Sequence, residues 1–308
     1  MSELCNICPR RCNALRPEVR EDGGVSIPGL CGLPMHPVVA RAGLHFWEEP
    51  VISGTQGSGT VFFSGCNLQC VFCQNYNISS MREGIQITPE RLREIYFGLI
   101  GLGAHNINLV TPQHFSEAIL QSLAEPLPVP VVYNTNGYDS VETLRRFDGK
   151  VQIYLPDLKY ADNTLGIRYS GVKDYCERAR EAILEMFRQT GPYQLDENGL
   201  LKSGVVIRHL LLPGHVKDTI QVIKWVAENF KPGDILFSLM RQYMPCGRVS
   251  DTEFSEINRR VTYKEYCRVR DALLNSGITD GYFQGGDAAS GQFIPVFDGT
   301  GVSREEKL

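Results

Sequence analysis

The sequence predicts an α/β protein: a partial, TIM-like (β/α)6 barrel preceded by an irregular Cys-rich module. Three observations carry this expectation. Six short apolar runs alternate with amphipathic segments between residues 59 and 277, the pattern of parallel βαβ units rather than hairpins. Seven of the ten cysteines fall in the first 73 residues, among prolines and glycines with little periodicity. Of 308 residues, 43% are hydrophobic and 21% charged, enough apolar surface for a large core and too little charge for long disorder. The expected division is 1–50 for the Cys-rich module, 51–260 for the barrel, and 261–308 for a helix and tail that close it.

The expected strands are 59–64, 106–110, 130–134, 151–155, 205–212 and 234–240. Each is a continuous apolar run, as strands buried on both faces require. The expected helices are 88–103, 114–124, 139–147, 173–190, 216–230 and 262–277. Thr88-Pro89-Glu90 opens the first of them with a capping hydroxyl, a proline suited to the first turn and an acid near the helix N-terminus. Residues 191–204 read as a surface connection. In such folds sites gather at the C-terminal ends of strands, so the loops after these runs carry the chemistry.

Lys plus Arg total 31 and Asp plus Glu 35, a net charge of −4 with no basic block. Nucleic acid is not an expected partner. No apolar run reaches the roughly 18 residues of a membrane span, and the N-terminus lacks a basic-then-apolar leader. A cytoplasmic protein without membrane contact is expected. Ten cysteines in that setting point to metal or redox use rather than disulfides.

Cys66, Cys70 and Cys73 are spaced C-x3-C-x2-C directly after the strand expected at 59–64. Three thiolates on one tight loop hold three irons of a cubane and leave the fourth open to a small molecule. An electron-transfer cluster closes all four positions with Cys. The plainer alternatives are three small buried residues or a zinc turn.

This motif, with Phe72 as the aromatic before its last cysteine, resembles the signature of radical S-adenosylmethionine enzymes. Its flanks, SGCNLQCVFCQNYNIS, resemble the uncharacterised branch related to pyruvate formate-lyase activating enzymes. The resemblance covers roughly residues 55–245. It implies a partial barrel of the radical S-adenosylmethionine type and a [4Fe-4S] cluster whose open iron is chelated by S-adenosylmethionine. It implies reductive cleavage of that cofactor to a 5′-deoxyadenosyl radical, and hydrogen abstraction from a substrate. Asn134-Thr135-Asn136-Gly137 is similar to a Thr-Asn-Gly of glycyl-radical activating enzymes near the ribose and methionine of the cofactor; read alone, it is a turn. Asp157-Leu158-Lys159 matches an Asp-Leu-Lys whose Lys reaches the cofactor and whose Asp helps bind a monovalent cation; read alone, it is a surface pair. Arg208 is placed like a family Arg on the cofactor carboxylate, or like a barrel-wall Arg paired with an acid. Many members carry Gly-Gly-Glu after the second strand. Here Thr111-Pro112-Gln113-His114 stands there, so the cofactor's amino group is assigned to the Thr111 region and Asn108.

Cys5, Cys8, Cys12 and Cys31 form a second potential ligand set. Paired Cys beside Pro and Gly resemble a metal knuckle, for structural zinc or a closed iron–sulfur cluster, with Arg10 and Arg11 offsetting thiolate charge. Cys246, in RQYMPCGRVSD, is a hydrogen-atom donor candidate or an ordinary loop thiol. Arg241, Gln242 and Tyr243 are pocket candidates. Cys176 and Cys267 read as core, and His105, His114, His209 and His215 show no zinc-ligand spacing. Gly285-Gly286-Asp287 is a turn.

The expected activity is therefore radical cleavage of S-adenosylmethionine, with a reduced flavodoxin or ferredoxin as electron donor. The target is a glycyl radical enzyme, or alternatively a peptide or small molecule. A non-catalytic iron–sulfur or zinc protein, or an electron carrier, is the alternative of another class.

Overall fold

The computed structural model describes residues 4–18, 29–284 and 295–303. In chain order the first elements are β1 (Val38–His45), α1 (Pro50–Ser53), β2 (Ser58–Phe63), α2 (Tyr76–Ser79), β3 (Ile85–Gln86), α3 (Pro89–Gly101) and β4 (Ile107–Val110). A 3-10 turn (Gln113–Phe115) leads into α4 (Ser116–Ser122), followed by β5 (Val131–Thr135), α5 (Val141–Arg145), β6 (Ile153–Pro156), α6 (Asn163–Ser170) and α7 (Tyr175–Thr190). The last are β7 (Gln194–Leu195), β8 (Leu201–Leu210), α8 (Val216–Asn229), β9 (Leu236–Met240), α9 (Tyr263–Leu274) and β10 (Gly281–Gln284).

The six apolar runs become β2, β4, β5, β6, β8 and β9, and all neighbours among them pair in parallel. Helices cover one face, and the strands are buried because the other face turns inward. The thirteen-residue α3 starts as its sequence dictates: the Thr88 hydroxyl accepts from the Arg91 N–H at 3.2 Å, and Pro89 takes the first turn. The sheet order is β10-β9-β8-β6-β5-β4-β2-β1-β3, an open arrangement rather than a closed ring.

Strands outside the expected set lie at both edges. β1 falls within the segment expected to be irregular, yet it pairs antiparallel with β2. β10 extends the parallel sheet beyond β9. The turn expected at Gly285-Gly286-Asp287 lies outside the described residues. α9 packs along α8. Among the described residues no helix is long and apolar enough to cross a membrane.

Side-chain alternation sorts the core into two layers. Val131, Tyr133, Tyr154, Val205 and Ile207 face the helices. Val132, Ile153, Leu155, Val206 and Leu236 face inward and pack on Val51 and Ile52 of α1. Those two residues plug the barrel's interior, and α1 is tied down by the Asn106 amide donating to the Ile52 carbonyl at 2.7 Å. Two residues further along each strand, the same inward rows turn polar: Asn134 on β5, Asp157 after β6, Arg208 on β8 and Ser238 on β9. The fold thus sets a polar tier above an apolar plug.

Ile52 is fully buried in that plug. Ile52→Ala is expected to lower unfolding free energy by about 2–5 kcal/mol, measured by urea denaturation. A loss under ~1 kcal/mol means α1 does not pack as a plug.

Candidate functional site

Cys66, Cys70 and Cys73 follow β2 on a loop that forms one wall of a cavity of about 310 Å³, within the range of small-molecule sites. Each sulfur already faces a donor. Asn136 Nδ2 lies 3.2 Å from Cys66 Sγ and the Leu68 N–H 3.4 Å from the same sulfur. Ser170 Oγ lies 3.0 Å from Cys70 Sγ, and the Ser79 hydroxyl donates to Cys73 Sγ at 3.3 Å. Donors aimed at sulfur support thiolate charge. Burial pushes the Cys70 thiol up to about 12 and the Cys73 thiol to about 11. Among the described residues no group of three or more His, Cys, Asp or Glu is drawn together to hold a single metal ion. Cubane ligands stand further apart, since each takes a different iron.

The loop is clamped from two sides. Arg10 donates to the carbonyls of Asn67 at 2.7 Å and Leu68 at 3.2 Å, and to those of Ser170 and Gly171 at the end of α6. Arg10 therefore grips the loop rather than offsetting thiolate charge. Arg11 pairs weakly with Glu142 at the surface. It is Arg16, buried between the Leu33, Pro34 and His114 carbonyls, that lies 3.7 Å from Cys5 Sγ. Opposite, the Arg248 N–H donates to Val71 O at 2.7 Å and the Cys246 thiol to Phe72 O at 3.1 Å. Cys246 thus braces the loop's backbone instead of facing the cavity. Gln242 lines the cavity, while Arg241 stacks on Tyr263 and Tyr266 and the Tyr243 hydroxyl donates to Ile257 O.

The cavity's other wall is the polar tier. Thr111, Asn134, Thr135, Asn136, Asp157, Lys159 and Arg208 line it, and Phe72 joins the lining from the cysteine loop. Arg208 is the hub: Nε to Asp157 Oδ1 at 2.9 Å, Nη2 to Asn134 Oδ1 at 2.7 Å and Nη1 to Glu48 Oε2 at 3.3 Å. Lys159 Nζ donates to Asp157 Oδ2 at 2.6 Å. Burial opposes the Asp157 charge, but Arg208 and Lys159 outweigh it and hold the carboxyl below its usual value. Asp157 and Lys159 are therefore a buried pair. Thr111 adopts φ +59°, a left-handed conformation costly for a β-branched residue and often kept at functional positions. Asn136-Gly137 is a turn as well as a site segment. A Cβ on Gly137 would stand 2.2 Å from the Asp157 carbonyl oxygen, so only glycine lets β5 end this close to β6. Asn108 differs from expectation. It is fully buried and spends its Nδ2 on Glu48 at 3.3 Å, so it acts through Glu48.

The sequence reading missed Glu48, Glu49, Gln113 and Asp139. Glu48 Oε1 accepts from Asn134 at 3.1 Å, joining the β1–α1 connection to the tier. FWEEP carries no local sign of burial, apart from an acid pair set against Trp and Pro. Below Thr135, Asp139 accepts from the Thr135 hydroxyl at 2.5 Å and the Tyr133 hydroxyl at 3.0 Å, and Gln113 donates to Thr135. The four histidines at the strand ends are held by structural contacts. His114 bonds the Ser64 carbonyl, His209 bridges Leu158 O and the Thr219 hydroxyl, His105 accepts from the Gln56 N–H and His215 bonds the Tyr169 hydroxyl. Cys176 is buried core, and Cys267 is half-buried on α9.

Burial, helped by the nearby charge of Cys5, Cys31 and Cys12, pushes the Cys8 thiol up to about 12. Cys5 bridges Ala14 and Gly29 lies against Cys12, so the four cysteines share one region without being drawn onto a single metal ion.

No protein-family model matches the chain. Over 274 residues it is 31% identical to an uncharacterised protein of Methanocaldococcus jannaschii, MJ0674, covering 85% of this chain and 71% of that protein. The chain belongs to the same family as this archaeal protein. Among solved structures it is similar to Streptococcus suis SuiB bound to S-adenosylmethionine, at 13% identity and a TM-score of 0.48, covering 72% of this chain and 48% of SuiB. It is also similar to a domain of pyruvate-formate lyase-activating enzyme from Bacteroides vulgatus, at 14% identity and a TM-score of 0.38, covering 64% of this chain and 91% of that one. The chain thus spans about half the length of SuiB, and likenesses of this degree fix neither activity nor substrate.

Asp139 gives the site a pH signature. Burial raises its carboxyl to about 6. The unfolded chain loses this proton first, near pH 3.8, so stability falls as pH rises toward 6 and is then level. The difference between wild type and Asp139→Asn is expected to shift by about 3 kcal/mol across this window, read from urea midpoints of the metal-free protein. A flat difference sinks the assignment.

Proposed function

We propose that the protein is a radical S-adenosylmethionine enzyme. The observation that carries this is the pairing of three donor-supported cysteine sulfurs on one cavity wall with a fixed polar tier on the other. Cys66, Cys70 and Cys73 would hold a [4Fe-4S] cluster. When both groups are bound, reduction of the cluster cleaves the carbon–sulfur bond of S-adenosylmethionine, and the 5′-deoxyadenosyl radical takes a hydrogen from the substrate.

The chain's own residues do the rest. Arg208 presents a guanidinium for a carboxylate, held in plane by Glu48, Asp157 and Asn134. Lys159, fixed on Asp157, keeps positive charge facing the thiol loop; burial opposes that charge, and Asp157 and Cys70 favour it. Thr111 and the Asn134–Asn136 segment border the remaining edge. The plug of α1 and the braces on the loop exclude water from below and behind. A reduced flavodoxin or ferredoxin is the proposed electron donor. The target is proposed as a glycyl radical enzyme, with a peptide or small molecule fitting the same chemistry. The N-terminal cysteines are proposed as a second metal site, zinc or iron–sulfur.

Anaerobically reconstituted and reduced with dithionite, the protein is expected to release 5′-deoxyadenosine from S-adenosylmethionine. Cys66→Ala should abolish this. Arg208→Lys should weaken cofactor affinity about 10- to 100-fold, the ~1.5–3 kcal/mol of a charged hydrogen bond, with cluster absorbance retained. No 5′-deoxyadenosine, or undiminished product from Cys66→Ala, would falsify the proposal. The Cys66/Cys70/Cys73 triple Ala variant is expected to keep metal at the N-terminal cysteines, with zinc and iron distinguished by elemental analysis. Retention of neither removes that second site.

A further inference from the structure

Glu49 is 1% exposed, and its side chain reaches the cavity from the start of α1. Its backbone is fixed: the Ile52 and Ser53 N–H groups donate to its carbonyl at 2.8 and 3.1 Å. Its carboxylate oxygen Oε2 has no hydrogen-bond partner. The neighbouring Glu48 is fully engaged by Asn108, Asn134 and Arg208. Arg208 attracts Glu49 through space, but its hydrogen bonds go to Asp157, Glu48 and Asn134. A buried carboxylate oxygen left unmatched is costly unless a ligand completes it.

Charge and polarity point the same way. Three acids, Glu48, Glu49 and Asp157, line the cavity with two cations, Lys159 and Arg208; burial raises the Glu48 and Glu49 carboxyls, a cost that a bound cation would relieve. The proposed cofactors leave the acid excess in place. An oxidised cluster on three thiolates carries one negative charge and S-adenosylmethionine one positive. The other unmatched groups nearby are mainly acceptors: Gln242 Oε1 on the cavity wall, and Asn108 Oδ1, whose amide orientation is set by its donation to Glu48. The Ser238 hydroxyl lies beside Glu49 and favours its charged form, without reaching a hydrogen bond of ordinary geometry. The ligand that completes this floor is a donor carrying positive charge.

We infer that Glu49 is the recognition residue for a cationic group of the substrate, an ammonium or a guanidinium seated at the cavity floor. This names a substrate class within the proposed function and rests on that reading for the reaction, though not for the binding. The test uses the reconstituted protein with S-adenosylmethionine at fixed potassium, and n-butylammonium and guanidinium as probes against their neutral isosteres n-butanol and urea. Calorimetry is expected to show the cations binding about tenfold or more tighter than the isosteres. Glu49→Gln should erase that preference and leave affinity for S-adenosylmethionine unchanged. Three results overturn the inference: no preference for the cations in wild type, an equal loss of S-adenosylmethionine affinity in Glu49→Gln, or displacement of n-butylammonium by equimolar potassium. The wild-type comparison decides even where Glu49→Gln fails to fold. Absence of 5′-deoxyadenosine leaves the binding result intact, so the two readings fail separately.

Discussion

The site depends on one buried ion network, centred on Arg208. Its guanidinium ties β8 to the ends of β5 and β6 and to the β1–α1 connection, through Asn134, Asp157 and Glu48. Lys159 completes the network at Asp157. These charged side chains are only 11–17% exposed, so their attraction is stronger than at the surface, and losing a charged partner strands a charge. Among the described residues the open sheet has no closing hydrogen bonds between its edge strands. The network supplies a polar tie across the interior that the backbone does not.

The cysteine loop is positioned by the layers around it. Its outer face is held by Arg10 from the N-terminal segment and by the loop at Cys246 and Arg248. Its inner face looks across the cavity to the polar tier. The N-terminal cysteine segment and the cysteine loop are therefore mechanically joined: Arg10 sits in sequence between Cys8 and Cys12 and in space on Asn67 and Leu68. Rigid support of this kind keeps a site within the narrow tolerances catalysis demands.

Much of this was legible. The six central strands were read from continuous apolar runs, because strands covered on both faces leave no polar alternation. Helix α3 announced itself by Thr88 and Pro89. The residues at the strand ends were found by motif and placement, and eight of the cofactor candidates line one cavity. β1 was hidden because its alternation sits in a Cys-rich context. The four-residue α1 is too short to carry periodicity. For Cys246, which follows β9, the sequence allows a hydrogen-atom donor or an ordinary loop thiol, and the loop turns its thiol onto the Phe72 carbonyl.

By itself the sequence determined the βαβ order, the C-x3-C-x2-C spacing after β2 and the strand-end positions of Asn134, Asp157 and Arg208. Those depend on local period and spacing, which a linear text records. Only the tertiary structure decided what surrounds them: that Asp157 and Lys159 are a buried pair, that Arg10 grips the cysteine loop and that Glu48 and Glu49 form the cavity floor. The ten cysteines alone pointed to metal chemistry; the unmatched carboxylate oxygen of Glu49 on the cavity floor is visible only in the fold. An acid pair in FWEEP looks like surface until β1 folds antiparallel onto β2 and carries it beneath strands more than 80 residues away. Burial of that kind arises from long-range packing, and no local pattern encodes it.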